Sequence, residues 1–157
     1  MLDTIFGLPA HPLIVHATEV VVPTAALVLL VAALWPRFRR WAKLLPLGLA
    51  LVSLGLVPLS TESGEALAER VPGNALIRTH IDLAEGLLPW VLGMVVVAAV
   101  LLGWNRTKTA AKRPAKWVAV VIAVAALGVS SGTMVQAVLI GHSGATAVWS
   151  EVAVNSR

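Results

Sequence analysis

The side chains of this sequence best suited to chemistry are four histidines and a set of carboxylates. The histidines are His11, His16, His80 and His142. A neutral imidazole offers a nitrogen lone pair that suits Zn, Cu or Fe. Two imidazoles facing across a gap between helices would ligate a b-type haem. Glu19, Glu62, Glu65, Asp82 and Glu85 are available to orient these rings or to carry protons. His16 and Glu19 are the sharpest pair, because residues three apart are neighbours on one helical face. The chain has no cysteine, which excludes disulfides, thiolate metal sites and cysteine nucleophiles.

Each histidine also has a plainer reading. Glu19 would orient His16 while snorkelling to the interface. His80 would be a core residue satisfied by a carboxylate or carbonyl. His11, ahead of Pro12, would be extended and solvated, with Pro12 at the helix start. His142 would lie in a turn after a helix capped by Gly141. The spacing matches no His-Glu-x-x-His pair and no Glu-x-x-His di-iron pair. As a set, His16 with His80 lead as ligands, followed by His11 and His142.

The elements that must position these residues are membrane helices. The 157 residues are 58% hydrophobic and 13% charged, with mean hydropathy +0.86. A soluble domain carries roughly 25% charged residues. One domain is expected, with four apolar runs at about 13–35, 44–59, 87–104 and 117–140 and an outer segment at 60–86. Each run is about what is needed to cross ~30 Å of hydrocarbon as a helix, the second with help from the segment after it. The first run has no basic n-region and no small-residue cleavage site, so it is expected to be retained.

Charge orients the spans. Arg37, Arg39, Arg40 and Lys43 fill the first connection, and Arg106, Lys108, Lys112, Arg113 and Lys116 the third. These are nine of the twelve Lys and Arg, and no acid accompanies them. The positive-inside rule makes these connections cytoplasmic. Both termini, all four histidines and all eight acids then face outside. Trp35, Trp41, Trp104 and Trp117 flank the basic connections as an interfacial belt would. Nothing resembles a nucleic-acid motif; a membrane surface explains the basic residues.

The outer segment is itself patterned. Glu62, Glu65 and Glu69 share one helical face. Pro72-Gly73 breaks the chain, and Asn74 is placed to cap a helix running into the third span. The predicted fold is all-α: a four-helix transmembrane bundle with both termini outside and helices two and three extending beyond the outer surface. Ser130, Ser131, Thr133 and Gln136 make the outer half of helix four polar, and Gly128 with Gly132 suggest close packing. Glu19 to Pro23 and Glu85 to Pro89 each open a span. Two parallel-related hairpins would give this pattern, and so would chance similarity of apolar segments.

The motifs His11-Pro12-Leu13-Ile14-Val15-His16, Ser63-Gly64-Glu65-Ala66-Leu67 and Gly141-His142-Ser143-Gly144-Ala145, with His80 between them, resemble a known family. They are similar to the bacterial predicted membrane proteins grouped as domain of unknown function 2231. The resemblance spans nearly the whole chain and rests on His11, His16, His80, Gly141, His142 and Gly144. Where that family has an aromatic and a proline soon after the second histidine, this chain has Ala17-Thr18-Glu19. The resemblance implies a four-span protein of the bacterial plasma membrane, with histidines exposed on its outer side and no assigned activity.

Three functions follow. The first is a haem b or transition-metal (Cu, Zn or Fe) binding protein in an accessory redox role. The second is a cofactor-free accessory or scaffolding subunit of a larger membrane complex. The third is an oligomeric ion or proton transporter using Glu19 and the polar half of helix four. Enzyme chemistry is the weakest class, since no base is spaced to activate Ser130 or Ser131.

Overall fold

The computed structural model describes residues 4–5, 8–71, 73–107 and 116–155. Asp3, Lys108, Lys112, Arg113 and Arg157 lie outside the described residues. A two-residue strand, β1 (Thr4–Ile5), pairs antiparallel with β2 (Leu8–Pro9) ahead of the first helix. Six helices follow: α1 (Ala10–Leu34), α2 (Pro36–Ala42), α3 (Leu45–Ala68), α4 (Ala75–Glu85), α5 (Leu87–Thr107) and α6 (Lys116–Asn155). Four stretches are long and apolar enough to cross a membrane: Ala10–Leu34, Leu45–Ala68, Ala75–Arg106 and Lys116–Trp149.

The bundle is a square of helices. α1 packs on α3 and α6, α5 packs on the same two, and α1 faces α5 across the diagonal. Its centre is filled by Val22, Ala25, Ala26, Leu29 and Ala32 of α1, Ala50 and Val57 of α3, and Val91, Met94 and Leu101 of α5. Alanines in α1 let the neighbouring backbones approach, the packing mode open to helices in lipid. The opposite faces expose Val20, Val96, Val124, Val135 and Val138. Such continuous apolar exposure needs a hydrocarbon solvent.

Sequence and structure part company at three helix ends. α1 starts at Ala10, so His11 lies in its first turn and is not an extended residue before it. Pro12 is tolerated there because first-turn N–H groups have no intrahelical acceptor to lose. α6 does not stop at Gly141 but runs on as helix through His142 and Gly144. Among apolar neighbours, where water cannot take up freed backbone groups, continuing the helix outweighs glycine's freedom to leave it. The helix begun at Asn74 does not run unbroken into the third span: it turns at Gly86. Gln136 Nε2 donates to Leu83 O at 2.6 Å and fastens that break from α6. A side chain at residue 86 would meet this amide, since a Cβ there would stand 2.8 Å from Gln136 Nε2.

Asn74 does cap α4. Its side-chain oxygen accepts from the Ile77 N–H at 2.9 Å, from an extended backbone. α4 buries none of its own residues, so its local stability leans on this cap. Asn74→Ala is expected to cost about 1 kcal/mol of local helix stability. Hydrogen exchange should show faster exchange at residues 75–79 and an unchanged rate in α5.

Candidate functional site

Five of the histidines and carboxylates singled out in the sequence meet at one end of the bundle, around a cavity of about 730 Å³. His11, His16, His80, Glu19 and Glu65 line it. Its walls are mainly apolar, from Val15 and Val22 of α1, Val57 and Leu67 of α3, Ile77 and Ile81 of α4, and Ile140 of α6. Small-molecule sites are of this kind: about 300–1,000 Å³, apolar, with a few polar groups converging.

Two of the imidazoles are held by matching devices. His11 Nδ1 stands 3.1 Å from Ser63 Oγ and 3.2 Å from Ser60 O. Ser63 Oγ donates its own proton to Ser60 O at 3.0 Å. A carbonyl only accepts, and this hydroxyl has already committed its proton, so Nδ1 must carry the hydrogen. His80 repeats the arrangement. Its Nδ1 stands 2.9 Å from Ser143 Oγ, which donates to Ile140 O at 2.9 Å. For His11 the Ser60 carbonyl fixes the proton on Nδ1; for His80 the same tautomer follows with the Ser143 proton on Ile140 O, and in both rings the Nε2 lone pair is then available.

The glycine after each serine completes the device. A Cβ at Gly64 would stand 2.9 Å from His11 Cε1, and one at Gly144 would stand 3.1 Å from His80 Cε1. The next nearest atoms are Nδ1 and then Nε2 in both cases. Each ring thus lies against a bare helix backbone that any larger residue would close. The two Ser-Gly pairs stand on diagonal partners: α3 holds the histidine of α1, and α6 holds that of α4.

The remaining candidates are placed differently. His16 is exposed along the cavity, and its Nδ1 donates to Pro12 O one turn back at 2.5 Å. Glu19 turns towards α6, where a Cβ at Gly141 would stand 3.7 Å from its Oε1. His142 is exposed on α6 and does not line the cavity. Glu62, Asp82 and Glu85 are exposed and also stand off it. Among the described residues, no three His, Asp or Glu side chains converge closely enough to hold a metal ion. Gly132 lies against Trp90, whereas Gly128 has nothing within 4 Å of where a Cβ would stand.

Ser60 carried no signal of its own, and Ser63 and Ser143 stood out only as members of the motifs that resemble the family; their pairing to histidines 49 to 63 residues away becomes visible only in three dimensions. A serine immediately before a glycine on two helices was the available hint.

A square of four apolar helices with a largely apolar cavity at one end defines a multi-pass helical membrane protein. The family of predicted membrane proteins DUF2231 matches residues 7–157, and the chain belongs to it. No curated protein and no solved structure matches the chain.

Proposed function

We propose that the chain is a b-type haem-binding protein of the bacterial plasma membrane, serving in an accessory electron-transfer role. The observation that carries this reading is the pair of matching imidazoles, His11 and His80, each with Nδ1 tied and Nε2 free beside one apolar cavity. A ligating histidine typically donates its other ring nitrogen in this way. Haem takes two protein ligands and apolar walls, which this cavity offers. A bare metal ion generally takes three or more protein ligands, and the convergence for that is lacking among the described residues. When bound, haem would supply one-electron redox chemistry. The protein's part is to fix the rings, set their protonation and exclude water. His16 stands beside the pair as an alternative ligand or proton carrier.

The charge bias of the connections supports an outward-facing site, with the basic connections cytoplasmic and both termini outside. Transport is less well supported. Beyond Val22, Val57 and Leu87 at the cavity, the centre of the bundle is closed by Ala26, Leu29, Ala50 and Met94.

The test is the visible spectrum of protein purified in mild detergent after haem-replete expression, with a metal assay on the same sample. A Soret band is expected, lost in His11→Ala and in His80→Ala and kept in His142→Ala. A colourless, metal-free protein would overturn the reading in favour of a cofactor-free subunit of a larger complex. A stoichiometric metal without a Soret band would overturn haem alone.

A further inference from the structure

The end of the bundle opposite the histidines carries charge of one sign. Arg37, Arg39, Arg40 and Lys43 occupy α2 and its end, and no acid occurs between residues 20 and 61 or between 86 and 150. Within this group Arg39 is set apart by burial, being only 8% exposed. Its Nη1 reaches Ala33 O at 3.5 Å, the outer limit of a hydrogen bond, and its Nε has no acceptor among the described residues. A buried cation with an unanswered N–H is unfavourable unless an anion meets it. Burial first, and then the neighbouring Arg40 charge, hold the Arg39 guanidinium below its ordinary basicity.

Arg39 lines a recess between α2, α3 and α5, together with Lys43, Pro46, Leu47, Ala98 and Asn105. Lys43 takes its place there from φ 46° and ψ −101°, a backbone region that residues other than glycine seldom adopt. The recess holds about 10 Å³, room for about one oxygen atom. A guanidinium, an ammonium and a carboxamide around a one-oxygen space select an oxyanion. Its surroundings identify the source. Trp35 and Trp41 are exposed on either side of Phe38, which rings with both, as aromatic side chains do at headgroup level. Leu44 and Leu45 are exposed beside the recess and offer apolar surface to acyl chains.

We propose that this recess receives a phosphate oxygen of an anionic phospholipid headgroup, held by Arg39 and Lys43 with Asn105 as a neutral donor. The site is independent of the histidine cavity and does not rest on the haem reading.

Native mass spectrometry of the full chain released from detergent, with phosphatidylglycerol or phosphatidylcholine added, tests it. The wild type is expected to retain one phosphatidylglycerol per chain in preference to phosphatidylcholine. Arg39→Gln should lower that retention about tenfold. Arg37→Gln removes the same charge from an exposed position of α2 and should leave retention unchanged. Equal retention of the two lipids, or equal loss in both variants, would overturn the proposal. Excess inorganic phosphate separates the sources: a lipid adduct that survives it supports the proposal, and displacement would show that a free anion suffices and overturn the lipid assignment. If Arg39→Gln does not fold, Lys43→Gln carries the same expectation, and wild-type retention in that variant overturns it.

Discussion

Gly132→Ala is expected to lower the stability of the bundle by about 1–3 kcal/mol, the range for overfilling a packed contact. A Cβ at residue 132 would stand 2.2 Å from Trp90 Cζ3 and 2.3 Å from Cε3, well inside contact distance. The ring is large and rigid, so it can relieve the overlap only by swinging as a unit away from α6. Trp90 is 39% exposed, which gives it a path outwards at the expense of its packing on α6. Thermal unfolding in detergent should therefore show a lower Tm for Gly132→Ala, and the loss should largely vanish in a Trp90→Ala background. That coupling is the decisive readout, since a generic effect of alanine in this helix would be the same in both backgrounds. Gly128→Ala, with open space around the added methyl, should be neutral or slightly stabilising.

On the proposed haem reading, Ser143→Ala should weaken haem retention by about 10–100-fold, the usual effect of removing a group that orients a ligating histidine. Ser63→Ala should do less. Without Ser63 the His11 N–H keeps Ser60 O at 3.2 Å, whereas Ser143 Oγ is the acceptor that the His80 N–H has. Imidazole ¹⁵N shifts test the same point with no haem bound. Ser143→Ala should free His80 to exchange tautomers, while Ser63→Ala should leave His11 protonated at Nδ1. Equal behaviour of the two variants would mean that the serines only fill space.

Much of this was legible in the sequence, for a simple reason: lipid imposes a strong rule on composition. Four apolar runs separated by basic or mixed connections leave few other folds, and Asn74 after Pro72-Gly73 announces its cap. The helix ends at the site were less legible. Gly141 read as a helix cap, but in this bundle Gly141 and Gly144 are bare backbone for Glu19 and His80 to approach, and α6 continues through them. The hydrogen-bond partners of the histidines were less legible too. His16 and Glu19 look coupled because they are three apart, yet the structure gives His16 a carbonyl of its own helix and leaves His11, read as a solvated residue, fixed by α3. The similarity of Glu19 to Pro23 and Glu85 to Pro89 does not extend to the histidines at the same spacing. His11 stands twelve residues before Pro23 and His80 nine before Pro89. The three-residue difference falls in the half that turns at Gly86, so no constant period relates the two halves.

The matched serine–glycine devices bear on ancestry. A pair of equivalent histidines, each braced by its own hairpin partner, is what two copies of one hairpin would present to each other on assembly. The chain then has the form of two such hairpins joined end to end by the segment at Pro72-Gly73. Such a fusion keeps the shared pocket while releasing its two walls from identity. One wall of the cavity keeps a continuous helix at Glu19 while the other turns at Gly86 under the Gln136 fastening, and this asymmetry would give a bound molecule a preferred direction.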